Sequence, residues 1–310
     1  MEYVACNLCG SSQAVPVQQA MPDLLFRRND ILSTFVRCIS CGLVYQNPRP
    51  TLAEISVYYP PDYESYAIEP ALQNSSWLRR QTILYGLAKR CRYVKRYKRA
   101  GRLLDVGCAT GVFLREMQHC GNWETCGVEV SEHASRIARG YGLDVRLGTL
   151  EQAEFPDEFF DVVTLWDVLE HLHDPAASLR EIYRILKPDG LLVIRVPNAD
   201  SWDARVFGRY WAGWDAPRHL YVFTPTTLGA LLTTNHFRIV AQDSRIGAYP
   251  AFLLSLRFWN YARNKSSLMR DRLIQLLDQP AMRMLTAPLF YLRSLGLQGP
   301  LLVTTARRMG

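Results

Sequence analysis

The 310-residue sequence has no apolar run long enough to cross a bilayer: its longest, Tyr249 to Leu256, falls well short of the roughly 20 residues a spanning helix needs. It lacks the dinucleotide fingerprint Gly-x-Gly-x-x-Gly, and Gly107-x-x-x-Gly111 has no Lys-Ser/Thr after it. Those two absences exclude the usual cradles for a pyrophosphate and for a triphosphate. The start, Met1-Glu2-Tyr3-Val4, leads into cysteines instead of a basic segment and an apolar core, so no secretory leader is read there and the cytoplasm is the expected compartment. Acid is scarce where base is dense: from Ser75 to Arg102 there are ten Lys and Arg and no Asp or Glu. The whole chain carries +7 at a pI near 9.0, which favours an anionic partner without naming one.

What is present is organised around Leu103-Leu104-Asp105-Val106-Gly107-Cys108-Ala109-Thr110-Gly111. It reads as a buried strand with an acid at its tip, a glycine-bent loop, and a helix from Val112 to His119. That order brings backbone amides close to a nucleotide-like ligand. A second strand, Thr125 to Val130, ends in Glu129, 24 residues beyond Asp105, near the interval at which Rossmann-like units set a carboxylate against ribose hydroxyls. With no phosphate cradle, a nucleoside without phosphates is the better fit.

Two further stretches complete a pattern: Phe159 to Leu172, containing Trp166-Asp167-Val168-Leu169-Glu170-His171, and Leu186-Lys187-Pro188-Asp189-Gly190 running into Leu191 to Ile194. With Asp105, Gly107 and Gly111 they resemble, in order and spacing, the class I S-adenosylmethionine-dependent methyltransferases over residues of roughly 100 to 250. The resemblance implies an α/β fold, a Rossmann-like seven-stranded sheet, with S-adenosylmethionine as methyl donor. Alternation of apolar strands and helical segments independently predicts a parallel sheet with helices on both faces. Strands are expected at Arg102–Val106, Thr125–Val130, Asp144–Leu147, Asp161–Trp166, Leu191–Val196, Phe237–Ser244 and Leu301–Arg307.

The family pattern also implies site residues. Asp105, Gly107, Cys108 and Gly111 would border the methionine part of the donor, and Glu129 and Val130 its ribose. Thr149 and Leu150 would flank adenine, although the acid the family often has there is missing. Trp166 and Asp167 would border methionine and acceptor. Ser131 reads as a helix N-cap, and His171 as a residue packed at a helix end. His219, in Trp214-Asp215-Ala216-Pro217-Arg218-His219, matches a histidine of similar sugar-modifying methyltransferases and is the candidate general base. The fuller His-Glu-His pattern of the sugar C-methyltransferases is not kept, since Pro217 and Arg218 occupy those places; a structural or orienting role for His219 stays open. Arg218 is a candidate for an anionic group of the acceptor.

Upstream, Cys6-Asn7-Leu8-Cys9-Gly10 and Cys38-Ile39-Ser40-Cys41-Gly42 form two Cys-x-x-Cys knuckles, 28 residues apart. Four thiolates in that spacing suit a closed, structural Zn²⁺ site in a small ribbon domain; metal-free thiols and a redox or iron site are the alternatives. The hairpin between the knuckles carries few positive charges, so nucleic acid is not the expected partner. The expected organisation is a zinc ribbon at 1–46, a Pro- and Tyr-rich linker or lid at 47–74 with Tyr63 and Tyr66 as substrate-side candidates, and the methyltransferase domain at 75–310. Within it, a basic amphipathic insertion at about 249–299 would shape the acceptor pocket, form a homodimer or lie on a membrane surface. The acceptor expected by resemblance is an oxygen or carbon of a sugar, glycolipid or secondary metabolite. The rival reading is a non-catalytic module in which ribbon and basic helix hold nucleic acid or a membrane.

The knuckles make a direct prediction. The purified chain should carry about one zinc per molecule, measured by elemental mass spectrometry, and Cys38→Ser should lose it; full retention of metal by that variant would rule out the four-thiolate site.

Overall fold

The computed structural model describes residues 1–60, 72–74, 76–262 and 268–309. Its centre is a seven-stranded sheet made of β4 (Gly101–Val106), β5 (Trp123–Glu129), β6 (Asp144–Leu147), β7 (Phe160–Trp166), β8 (Leu186–Pro197), β10 (Phe237–Asp243) and β11 (Leu301–Arg308), in the order β10-β11-β8-β7-β4-β5-β6. Strands β6, β5, β4, β7 and β8 run parallel, while β11 lies antiparallel between β8 and β10. Near-continuous apolar runs explain the central strands: Leu103, Leu104, Val162, Val163, Leu165, Leu192 and Val193 are all buried, as a sheet covered on both faces requires. The expected strands are met to within a few residues, except that β8 begins at Leu186, which pairs with Phe160 before a register shift.

Helices cover both faces. Helix α1 (Trp77–Lys95) buries Leu87, Cys91, Tyr93 and Val94, and these pack with Phe113, Leu114 and Met117 of α2 (Val112–His119) in one core. On α3 (Glu132–Gly140) the Ser131 hydroxyl caps the start by accepting the Ala134 amide at 3.3 Å. On α4 (Pro175–Ile185) Asp174 does the same for Ala177 at 2.9 Å. Helices α5 (Trp202–Phe207) and α6 (Pro225–Thr234) follow β8, and the stretch expected as an insertion forms α7 (Ala248–Ala262), α8 (Leu268–Leu277) and α9 (Pro280–Arg293). Among its buried residues are Leu253 and Phe258 on α7, Ile274 on α8 and Phe290 on α9. Among the described residues no helix is long and apolar enough to cross a membrane.

The N-terminal hairpin, β1 (Ala14–Asp23) and β2 (Arg28–Cys38), continues into β3 (Val44–Gln46). The sheet is then completed by β9 (Tyr221–Val222), which pairs antiparallel with β3, Val44 opposite Val222 and Tyr45 opposite Tyr221. A cut near residue 46 therefore does not isolate a free-standing domain, because an edge strand of the ribbon is supplied by the far part of the chain. Closing that edge satisfies backbone groups that would otherwise template another chain. Packing agrees: Val36, Leu43 and Tyr45 share a core with Leu165, Phe223 and Leu231, and Met21 and Phe35 share another with Trp211 and Val222.

Because Phe35 is fully buried, with its ring centroid 5.0 Å from that of Trp214, Phe35→Ala should lower stability by about 3–5 kcal/mol. Chemical denaturation should show ribbon and large sheet unfolding in one transition; a separate early transition confined to the ribbon would contradict the shared core.

Candidate active site

The loop after β4 is held by the end of β5. The amides of Gly107 and Cys108 donate to the Val128 carbonyl at 2.8 and 3.1 Å. Gly107, Ala109 and Gly111 all have positive φ, at 67°, 48° and 74°. The two glycines have a packing reason as well: a Cβ on Gly107 would lie 2.7 Å from Val168 Cγ2, and one on Gly111 2.3 Å from Leu143 Cδ1. A bare backbone is thus forced here before any ligand is considered.

Two carboxyl groups converge at the adjacent ends of β4 and β5. Glu129 is almost fully buried and accepts the Ala109 amide on Oε2 and the Ser131 amide on Oε1, both at 2.8 Å. Burial raises its pKa against the opposing pull of those amides. Each oxygen retains a lone pair for a second donor, which suits a ribose diol. Asp105, also buried, accepts Thr164 Oγ1 at 2.6 Å. Burial pushes its pKa up to about 7, opposed by Thr164 and Arg90. A carboxyl poised between charge states at the end of the central strand suits a ligand cation and not a phosphate. Val130 stands exposed beside this mouth, while the Cys108 side chain is buried.

Beyond β6, Thr149 is turned to Gln152, whose Oε1 accepts the Thr149 amide at 2.9 Å. The Leu150 side chain is buried in the same core as Ala153 and Phe155. At the end of β7, Trp166 meets Phe113 edge-on at 5.5 Å, and its ring faces the guanidinium groups of Arg90 and Arg195 at 5.2 and 5.6 Å. Asp167 is gripped by Arg195 through Nε at 2.8 Å and through Nη2, with Arg90 3.9 Å away. Neither arginine was singled out by sequence. Arg195 is nevertheless the charged residue within the apolar Leu191–Pro197 part of β8, and Arg90 follows the buried Leu87 by three positions on α1, a spacing that sets it on the inward face.

The loops after β7 and before β9 bring together a histidine pair. The rings of His171 and His219 meet edge-on with centroids 4.6 Å apart. His171 Nδ1 lies 3.0 Å from the Arg218 carbonyl and 2.8 Å from the Tyr59 hydroxyl, and His219 Nδ1 lies 2.9 Å from the Gly213 carbonyl. A carbonyl can only accept, so Nδ1 of His219 carries the proton and Nε2 the lone pair, whereas His171 Nδ1 faces both a carbonyl and a hydroxyl able to donate. Burial lowers both pKa values, that of His171 to about 3. Glu170 is fully buried, neither carboxylate oxygen has a hydrogen-bond partner, and burial raises its pKa well above the usual range. One ligand-type atom from each of Glu170, His171 and His219 falls within 4.8 Å of the others. The trio sets one carboxyl beside two imidazoles, and burial disfavours the charged form of all three. His171, expected merely to pack at a helix end, is thus joined to His219.

Arg218 is a correction to the sequence reading. It is fully buried, its guanidinium bonded to Asp23 at 2.8 and 2.8 Å and to Asp215 at 3.0 and 2.7 Å, so its charge is neutralised internally instead of facing an acceptor. Tyr63 and Tyr66 lie outside the described residues. In the ribbon, the sulfur atoms of Cys6, Cys9, Cys38 and Cys41 fall within 4.8 Å of one another. The amides of Gly10 and Gly42 turn back to the carbonyls of Cys6 and Cys38 at 2.8 and 3.0 Å. That donor set fits a tetrahedral Zn²⁺.

Comparison with known proteins agrees with this geometry. A methyltransferase of Mycolicibacterium smegmatis described as a probable S-adenosylmethionine-dependent enzyme is 32% identical over 130 residues, covering 41% of this chain and 47% of that protein. The ubiquinone biosynthesis O-methyltransferase of Pseudomonas aeruginosa is 35% identical over 105 residues, covering 31% and 44%. The chain thus spans less than half the length of these relatives. Among solved structures, the [4+2]-cyclase SpnF superposes with a TM-score of 0.53 at 18% identity, covering 84% of this chain and 97% of that one, a likeness of fold alone. The family described as "Methyltransferase domain" matches residues 78–242, more than half of the sequence and the whole segment from α1 to β10, and the chain belongs to the class I S-adenosylmethionine-dependent methyltransferases.

Proposed function

We propose that the protein transfers a methyl group from S-adenosylmethionine to an oxygen or carbon of a small acceptor, of the sugar, glycolipid or secondary-metabolite class, with His219 as the base. The observation that carries this reading is the convergence of Asp105 and Glu129 on the glycine loop with a neutral histidine pair at the loops after β7 and before β9. The donor supplies a methyl group already activated on a sulfonium, so the protein's work is alignment and proton management. Asp105 holds the donor ammonium, Glu129 the ribose hydroxyls, and the bare backbone at Gly107 and Gly111 permits close approach. Val130 borders the ribose and Thr149 the adenine, and the arginine-held Asp167 shapes the passage to the acceptor. His219, neutral and with its Nε2 lone pair available, takes the proton of an acceptor hydroxyl or acidic C–H. His171, bonded through Nδ1 to the Arg218 carbonyl, keeps its ring against that of His219.

Two outcomes test this. Isothermal titration should show donor binding to the unaltered chain and a loss of at least about 100-fold in affinity for Glu129→Ala, as expected for two charge-assisted hydrogen bonds; an undiminished affinity would remove Glu129 from the donor site. The second concerns pH. A carboxyl whose pKa rises on folding makes the native chain bind more protons than the unfolded one, so the Asp105 contribution should lower donor-free stability as pH rises from about 4 towards 7. Donor binding favours the ionised form, so affinity should improve over the same range with release of a proton; a flat affinity from pH 5.5 to 8 in buffers of differing ionisation enthalpy would separate Asp105 from the donor ammonium.

A further inference from the structure

We propose that the metal ribbon belongs to the acceptor-side apparatus, with Asp23 on β1 a positioning residue that acts on His219 through Arg218. This rests on reading His219 as the acceptor-side base. Asp23 is 1% exposed and Arg218 not at all. Asp23 Oδ2 and Oδ1 accept Nη1 and Nη2 of Arg218 side by side, each at 2.8 Å, while Asp215 accepts Nε at 3.0 Å and Nη2 at 2.7 Å. The Phe26 ring covers the guanidinium at 5.1 Å, and the Phe26 amide donates to Asp23 Oδ1 at 3.1 Å. A planar fork held along two edges is fixed in direction as well as in place, and a buried guanidinium cannot shed one partner without a large penalty.

What the fork fixes is the segment that presents His219. The His219 amide donates to the Asp215 carbonyl at 3.1 Å, its Nδ1 faces Gly213, and its Nε2 lies 3.9 Å from Asp215 Oδ2. The next residue carries the same connection through the backbone. The Leu220 carbonyl accepts the Gln46 amide of β3 and the Leu220 amide donates to the Glu170 carbonyl, both at 2.8 Å, so one residue links the ribbon to the loop bearing Glu170 and His171. Arg49, just past β3, reaches the His173 carbonyl at 2.7 Å and the Tyr221 hydroxyl at 2.9 Å. Both histidine-bearing loops are therefore tied to the ribbon by buried, directional bonds.

The experiment compares the unaltered chain with Asp23→Asn, which keeps the shape and removes the charge, and with Asp30→Asn, which removes a ribbon charge at an exposed site paired to Arg28. The readouts are zinc content, S-adenosylmethionine affinity, hydrogen exchange across residues 213–223, and the titration of the His219 ring by NMR. His219 is faced by Asp215, Arg218, His171, Glu170 and Asp167, and its ring should stay neutral below the ordinary imidazole range in the unaltered chain. For Asp23→Asn the expected result is unchanged zinc, donor affinity within about two-fold, exchange over 213–223 faster by about ten-fold or more, and a His219 titration moved towards about 6.5. Asp30→Asn should change none of these. Unchanged exchange and titration in Asp23→Asn would overturn the proposal, as would an equal rise in exchange along β4 and β5, which marks general destabilisation. Should Asp23→Asn fail to fold, stripping metal from the unaltered chain with a chelator decides: exchange over 213–223 should rise ahead of that in β4, and no rise there would overturn it. Failure of the unaltered chain to bind donor counts against the methyltransferase reading alone, since exchange and titration are read without it.

Discussion

The carboxylate of Glu129 sets the geometry on which the donor pocket depends. By accepting amides from Ala109 in the loop after β4 and from Ser131 at the start of α3, it fastens two chain reversals to one strand end. A buried acid between amides is stable as an anion only while both bonds are made. The same group that would receive the ribose therefore also shapes the loop that would receive the methionine part.

The central sheet was readable in the sequence because its strands are short, apolar and punctuated by glycine or acid, and because a sheet buried on both faces leaves little room for alternation. The strand-loop-helix around Gly107 and Gly111 was readable for a related reason: Asp105, Gly107, Gly111 and Glu129 fall at strand ends and a glycine turn with a spacing that recurs. The acceptor side was less legible. His171 and His219 are 48 positions apart, and nothing local in either stretch signals that β7 and the pre-β9 loop deliver them to one place. Arg218 misled because a charged residue beside a candidate base invites a ligand role, whereas its partner, Asp23, lies almost two hundred residues upstream.

The arginines divide by partner. Arg195 and Arg90 hold Asp167 and cover Trp166; Arg218 holds Asp23 and Asp215; Arg49 holds Glu2, Tyr221 and His173. These four arginines are matched by four acids, so the clusters are neutral overall and the chain's net +7 resides outside them. Helix α9 runs the other way: Met284, Leu285, Leu289 and Leu292 are exposed along it, while Arg283 and Arg293 turn to Asp278 and Asp203.

The pairing of β3 with β9 also bears on how the chain assembles during synthesis. Thiolates near the start can capture their ion as soon as both knuckles have emerged, yet the strand that seals that small sheet is made only after most of the parallel sheet has left the ribosome. In the interval an unsatisfied edge and the apolar faces of Phe35 and Val44 await residues not yet translated, a long-range closure of the slow kind. Early metal capture would then preserve the hairpin in a receptive form until Tyr221 and Val222 arrive.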